Sequence, residues 1–389
     1  GLRFRVACAV RLPQPARGVG EQRVNQARLR GEVGAQLLLA ALVNTVLADG
    51  VDLGPAADHV DPDAIAHLRE VLAPFPAAAV AEATGIPAET IVRLARDIAQ
   101  SPSAAVYGRL GTSTSGLLVD GELTNFGTLA SWLIVVLNVI TGNLDRPGGV
   151  MFPLPPAGGP TTFGTPDSGR GVRVPGSRRT RVRGLPSVLG EFPVAALAEE
   201  ILSPGDGQVR ALVCVAGNPV LSTPNGRQLQ KALQGLEFML AVDLYINETT
   251  CHADLILPPT APLEHDHYDT TFNALAVRNV TRFNEAVLDK PAGALHDWEI
   301  FIGLAQAFAA RNGLTLKPTL APELMIDMGL RNGPYGAHSP WQLSLARLRE
   351  QPHGIDLGAL QANLAARLKT PHGQVQLAPP LLLAELRRF

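Results

Sequence analysis

The stretch ALVCVAGNPVLSTPNGRQLQKALQGLEFMLAVDLYINETTCHADLILP, Ala211 to Pro258, decides the fold. Its first apolar run, Ala211 to Ala216, is rich in valine and breaks at Gly217-Asn218-Pro219. A helix is predicted from about Asn225 to Leu236. The second apolar run, Phe238 to Val242, ends at Asp243, and a third, Leu255 to Leu257, stops at Pro258-Pro259. Short apolar strands alternating with helical stretches predict an α/β fold of parallel sheets covered by helices. Ligands bind such sheets outside the carboxyl ends of the strands. Asn218, Ser222, Asp243 and Thr249 all fall there.

Outward from this block the chain is uneven. Residues 1–35 carry Arg3, Arg5, Arg11, Arg17, Arg23, Arg28 and Arg30, opposed only by Glu21 and Glu32, with no helical or strand period. They are expected to be a poorly ordered lead-in. From Gln36 the pattern is regular, with helices predicted over Leu37 to Ala48, Asp61 to Leu72, Ala77 to Thr84 and Pro87 to Ala99. Ala104 to Tyr107 reads as a strand entering the glycine turn Gly108-Arg109-Leu110-Gly111-Thr112. Residues 151–190 are rich in Pro, Gly and Arg and are expected to form a long surface loop. A strand–helix block follows over 191–345, and 346–389 reads as a mixed tail.

Bulk properties exclude several classes. The 389 residues suit two or three domains of about 150 residues. A formal net charge of −2 and 5% aromatic residues give no case for a nucleic-acid surface. The longest apolar run, Leu129 to Ile140, falls short of the ~20 residues that span a bilayer. Cys8, Cys214 and Cys251 are far apart, so the chain has no local iron–sulfur or zinc motif. Unpaired cysteines suit a reducing compartment, and a cytoplasmic location is expected.

Taken singly, each polar group has a structural reading beside the functional one. Asn218 and Ser222 can read a base edge or a phosphate, yet Asn-Pro is also a common turn. Asp243 stands where acidic residues meet a ribose, or it caps the next turn. No GxGxxG follows any strand, so the usual dinucleotide fingerprint is absent. Glu264-His265-Asp266-His267 has the composition of a metal site, but its two histidines alternate along an extended chain, which favours a polar loop. Asp297 opens an apolar helix and suits a capping role.

Together these residues form an ordered set: Gly217-Asn218-Pro219, Ser222, Leu236-Glu237-Phe238, Asp243, Glu248-Thr249, Ala253-Asp254-Leu255-Ile256-Leu257-Pro258, Glu264 and Asp297-Trp298-Glu299-Ile300. Upstream lies Leu137-Asn138-Val139-Ile140-Thr141-Gly142-Asn143-Leu144-Asp145-Arg146-Pro147-Gly148-Gly149. The set resembles the molybdopterin oxidoreductase family, which includes formate dehydrogenases, nitrate reductases and dimethyl sulfoxide reductases, from about Leu37 to Pro379. The resemblance implies Rossmann-like α/β cofactor domains and two molybdopterin guanine dinucleotides holding molybdenum or tungsten. It also implies a small-molecule substrate and an electron-transfer subunit as partner. By position, Asn218 and Ser222 match contacts to a guanosine end, and Asp297 matches the aspartate that pairs with guanine. Gly217, Asp243 and Thr249 line the same dinucleotide. Gly108, Arg109, Gly111 and Thr112 match a glycine turn near the pterin.

The resemblance has gaps. The family's 4Fe–4S cysteines and the residue that ligates the metal have no counterpart here. Thr370 to Pro379 is similar to the linker before the family's C-terminal β-barrel. The chain is therefore expected to be an interior piece: residues 36–150 the end of one cofactor domain, 191–345 the second half of the other, 346–389 a linker. Two other readings share the pattern. One is a non-catalytic electron-transfer scaffold like the large subunit of NADH dehydrogenase, and the other is an inactive truncated product.

Overall fold

The computed structural model describes residues 21–114, 116–119, 122–158, 176–188 and 190–387. The side chains of residues 21–33, 116–119, 122, 123 and 371 are outside this description. Arg3 to Arg17 of the basic lead-in and the Gly159-Pro160 part of the loop lie outside the described residues.

The first half is helical. Helix α1 runs from Glu21 to Asp49, α2 from Pro62 to Leu72, α3 from Ala77 to Thr84, and α4 from Ala88 to Gln100. The short α5, Leu110 to Ser113, precedes the antiparallel pair β1, Gly116–Val119, and β2, Glu122–Asn125. Helix α6, Gly127 to Ile140, closes the unit. Helix α1 begins well before the predicted Leu37, so the second half of the lead-in is helical backbone. Asp61, the first residue of the predicted helix, caps α2, its carboxylate accepting from the Asp63 N–H at 2.9 Å.

The core of this unit explains its sequence. Leu42, Leu68, Leu72, Ile91, Leu129, Leu133, Leu137 and Ile140 are fully buried and belong to one cluster. Such burial is worth about 2 kcal/mol per large side chain. It absorbs the apolar run of α6 that the length argument kept out of the membrane. No helix among the described residues is long and apolar enough to cross a bilayer.

Ala104 to Tyr107 is not a strand. Its backbone is satisfied by side chains instead. Asn143 Oδ1 accepts from the Ala104 N–H, and Asn138 Oδ1 accepts from the Val106 N–H, each at 2.9 Å. Asn138 Nδ2 donates back to the Val106 carbonyl at 2.9 Å. A buried asparagine pairing both backbone groups of one residue replaces a neighbouring strand.

The second half holds the sheet. After α7, Leu197 to Leu202, come β3, Ala211–Val215; α8, Pro219–Ser222; α9, Gly226–Leu233; β4, Phe238–Val242; and β5, Leu255–Ile256. The three strands form a parallel sheet in the order β3-β4-β5, with Ala211 opposite Phe238 and Leu240 opposite Leu255. Helix α9 is shorter at both ends than predicted and is capped by Asn225, which adopts φ 58°. Leu229, Ala232 and Leu233 of α9 pack with Ile201 and Met239.

The remaining strands pair antiparallel: β6, His267–Tyr268, with β8, Phe283–Asn284, and β7, Asn279–Thr281, with β9, Ile355–Gly358. Around them lie α10, Asp297–Arg311; α11, Pro322–Asn332; and α12, Leu345–Arg349. The tail adds α13, Leu364–Arg367, and α14, Pro380–Leu386.

This tail is packed, not merely connecting. Leu364, Leu377 and Leu386 join the core of the first half. Trp132 Nε1 donates to the Leu377 carbonyl at 2.9 Å, and the Val375 N–H to the His59 carbonyl at 2.7 Å. The described part of the basic loop is also tied down. Arg181 Nη2 donates to the Ser203 carbonyl at 2.7 Å, and Arg183 pairs with Glu199 on α7.

Candidate cofactor site

The carboxyl ends of β3, β4 and β5 form one rim. Past β3 the chain enters a positive φ of 46° at Ala216, a conformation costly for a residue with a Cβ. The Ala216 N–H still donates to the Val242 carbonyl at 2.9 Å. Gly217-Asn218 then turns the chain into α8.

A continuous hydrogen-bond relay joins the strand ends. Asp243 Oδ2 accepts from Asn247 Nδ2 at 3.3 Å, and Asp243 Oδ1 accepts from the Leu244 N–H at 2.7 Å. Asn247 Oδ1 accepts from the Thr249 and Thr250 N–H groups at 2.9 and 3.0 Å. The Thr249 hydroxyl donates to Asn218 Oδ1 at 2.7 Å and accepts from the Val220 N–H at 3.0 Å. Asn218 Nδ2 donates to Glu248 Oε2 at 2.7 Å. That bond, from a donor that favours the charged form, holds the Glu248 carboxyl below the usual range. Behind the rim, burial and then the charge of Asp243 push the Cys214 thiol up, so it is an inert neutral group.

The predicted residues divide between these places. Asn218, Asp243 and Thr249 belong to the relay. Ser222 stands beside it, its hydroxyl donating to the Asn218 carbonyl at 3.0 Å within α8. Asp297 lies apart from the relay, beside the chain that follows β5. Pro259, just past β5, bridges to Leu295, so His296 and Asp297 lie alongside the extended edge. The Asp297 side chain has no hydrogen bond or ion pair among the described residues.

Asp297 is also not the cap of α10. His296 is the N-cap, and its backbone N–H donates to Glu299 Oε2 at 2.7 Å. Glu299 in turn is held by Lys290, which keeps its carboxyl below the usual range. Asp297 and Trp298 line a cleft of about 520 Å³ with Glu264, His265, Lys290 and His296.

Gly108, Arg109, Gly111 and Thr112 lie elsewhere. They surround α5, which packs on α6 and α1 and not on the sheet rim. A Cβ on Gly108 would meet Ile134 Cδ1 at 2.6 Å, the tip of a side chain that can turn aside, so packing does not by itself require glycine there.

Glu264, His265 and Asp266 line the cleft, but the carboxylates of this tetrad are taken up by backbone groups. Glu264 Oε2 accepts from the Ala261 N–H, Asp266 Oδ1 accepts from the Ala286 N–H, and His267 pairs in β6. Among the described residues no group of three such side chains could hold a metal.

Residues absent from the prediction complete the site. Asn247 and Glu248 stand in a run of four polar residues after β4, a turn signal that can be read from sequence. Thr260 and His296 meet across 36 residues, and no local pattern announces that contact.

Comparisons with known proteins bear on the family and the fold. A family model described as molybdopterin oxidoreductase matches residues 123–307. The chain is 29% identical over 268 residues to the F420-dependent formate dehydrogenase 2 subunit alpha of Methanococcus maripaludis, covering 67% of this chain and 37% of that protein. It is 27% identical over 283 residues to the assimilatory nitrate reductase catalytic subunit of Bacillus subtilis, covering 66% and 37%. The chain thus spans little more than a third of the length of these relatives. Acetylene hydratase from Pelobacter acetylenicus shares the fold at a TM-score of 0.55 and 15% identity, over 91% of this chain and 49% of that one. Residues 123–307 thus carry the match to the molybdopterin oxidoreductase family.

Proposed function

We propose that this chain supplies part of the cradle for a molybdopterin guanine dinucleotide in a molybdenum- or tungsten-dependent oxidoreductase. One observation carries the reading: a carboxylate without a protein partner, Asp297, lines a cleft of about 520 Å³ beside the chain that follows β5, in a fold whose β3 and β4 ends carry the Asp243–Asn247–Thr249–Asn218 relay.

The donor set suits the group. Guanine presents two N–H donors on one edge, and a carboxylate accepts both. Adenine presents the opposite pattern at its ring nitrogen and is disfavoured. Asn218, held at both ends of its amide, offers a fixed edge to a ribose or phosphate. Ser222 and Gly217 flank it. Gly108, Arg109, Gly111 and Thr112, on the helical half, are assigned to the pterin end. When bound, the cofactor supplies two-electron redox chemistry at its metal. This chain's residues bind and orient it and set the charge around it.

The whole protein would take a small-molecule substrate and pass electrons to a partner subunit. The relatives' descriptions as subunit alpha and catalytic subunit support such a partner. A 4Fe–4S cluster would need ligands beyond the dispersed cysteines of this chain. The free Cys214 and Cys251 are consistent with a cytoplasmic setting.

The test is cofactor content. The chain is purified from a host that makes the cofactor, metal is measured by elemental analysis, and GMP is measured after acid release. Two GMP per metal atom, with both reduced at least tenfold by Asp297→Asn, are expected. Metal-free protein from that host, or GMP retention indifferent to Asp297, overturns the reading.

A further inference from the structure

The Thr260 hydroxyl lies between two imidazoles. It is 2.7 Å from His296 Nδ1 and 3.2 Å from His265 Nδ1. Thr260 is only 3% exposed. Its backbone N–H donates to the Leu295 carbonyl at 3.0 Å, which ties it to the residue before His296. The two rings meet edge to face with centroids 6.1 Å apart, and the His296 ring stacks on Trp298 at 6.4 Å. His265, His296, Asp297 and Trp298 all line the 520 Å³ cleft.

We propose that Thr260 is a positioning residue for the purine end of this cleft: its hydroxyl fixes the His296 ring, and the fixed ring sets the wall against which Asp297 meets the base. The inference rests on the cofactor reading above and adds a residue and a specificity role to it.

The chemistry of the hydroxyl makes the constraint specific. It has a single proton to donate. It can therefore donate to only one of the two Nδ1 atoms, and the other Nδ1 carries a proton and donates to it. The two rings thus differ in whether Nδ1 is protonated. Glu299 serves the His296 backbone, which leaves the ring free for Thr260. Lys290 holds Glu299 in turn. Asp297 follows directly, with Cα one peptide from a residue pinned at both backbone and ring. A carboxylate that must accept from two donors of one base edge depends on that placement.

Threonine 260 can be tested with near-isosteric changes. Thr260→Val removes the hydroxyl and keeps the volume, and Thr260→Ser keeps the hydroxyl. GDP and IDP serve as probes, because IDP lacks the exocyclic amine that would donate to Asp297. Calorimetric titration of the full chain reads their affinity ratio, and nitrogen NMR of the histidine rings reads the tautomers.

The unsubstituted protein is expected to favour GDP about tenfold, the worth of one charge-assisted hydrogen bond. Thr260→Val is expected to reduce that preference to twofold or less and to merge the two ring patterns, while Thr260→Ser retains both. A preference kept intact in Thr260→Val overturns the positioning role and leaves the cofactor reading standing. No GDP preference in the unsubstituted protein overturns the cofactor reading, and the positioning role with it. Loss of preference in Thr260→Ser as well as in Thr260→Val assigns the effect to packing and overturns the role of the hydroxyl.

Discussion

The hydroxyl of Thr249 donates to Asn218 Oδ1 at 2.7 Å while its oxygen accepts from the Val220 N–H at 3.0 Å. Thr249 is wholly buried, so neither bond can be replaced by bulk water. Thr249→Val keeps the shape and deletes both. It strands a side-chain acceptor and a backbone donor at the mouth of β3. The expected cost is about 2 kcal/mol, read as a lower urea midpoint at unchanged slope. Thr249→Ser should recover most of it. A midpoint within error of the parent would show that Asn218 is held by its turn and not by the relay.

The other end of the Asn218 amide has a pH signature. Its bond to Glu248 lowers that carboxyl from the usual range. The folded value is below the unfolded one. The contribution of the bond is therefore complete above the unfolded value and is lost as pH falls through the folded one. Glu248 is fully exposed, so the effect belongs in a titration and not in a stability figure. In Asn218→Ala, carbon NMR should show the Glu248 carboxyl titrating at higher pH than in the parent. Identical curves would mean that the Asn218–Glu248 bond does not persist in solution.

Both residues show what the sequence could tell. The Val-rich run to Ala216 and the run to Val242 are short, apolar and closed by turn residues, so β3, β4 and the rim between them were legible. Asn218, Asp243 and Thr249 followed from the rule that ligands meet strand ends. Ala104 to Tyr107 has the same local appearance, but its hydrogen bonds go to Asn138 and Asn143, more than 30 residues later. Local pattern cannot distinguish a strand from a segment satisfied by distant amides. Asp297 failed as a cap for a related reason: the capping geometry depends on Glu299 and Lys290, and the cap itself is a histidine. The linker reading of Thr370 to Pro379 rests on resemblance, and nothing local in the sequence announces that Leu364, Leu377 and Leu386 are buried. Their partner is the first helical unit, brought close only by the fold.

Two glycines separate packing from cofactor binding. A Cβ on Gly226 would lie 1.9 Å from the Val220 carbonyl oxygen. That atom is backbone of α8, so the approach of α8 to the start of α9 must shift. Gly226→Ala should cost about 2–3 kcal/mol, in the range of overpacked sites, and lower the melting temperature. Gly111 has open space around its Cβ position and sits within α5. Gly111→Ala should leave the melting temperature unchanged or slightly raised. If Gly111 approaches the pterin as proposed, the same change lowers cofactor content. A fall in both stability and content would instead make Gly111 a packing residue.

Asp145 binds the tail to the helical half. It is buried, holds φ 59°, and its Oδ2 accepts from the Asn363 and Leu364 N–H groups, each at 2.6 Å. Its Oδ1 and the Arg367 Nε and Nη1 are buried without protein partners. Burial lowers the affinity of Arg367 for its proton, and the charge of Asp145 opposes that. Removing the carboxylate therefore acts twice. It frees two backbone donors at the start of α13, and it leaves a half-buried guanidinium without its compensating charge. Asp145→Ala should cost about 3 kcal/mol and speed amide exchange at Asn363 and Leu364 by about 100-fold, at roughly 1.4 kcal/mol per tenfold. Asp145→Asn tolerates the positive φ and keeps one acceptor oxygen, so it should fall between the parent and Asp145→Ala. The Trp132 indole N–H, bonded to Leu377 further along the same segment, gives the decisive comparison. If it exchanges faster together with Leu364, the tail from Asn363 to Leu377 detaches as one unit. If only Leu364 responds, Asp145 serves the start of α13 alone, and the leucines of the tail hold the rest by burial.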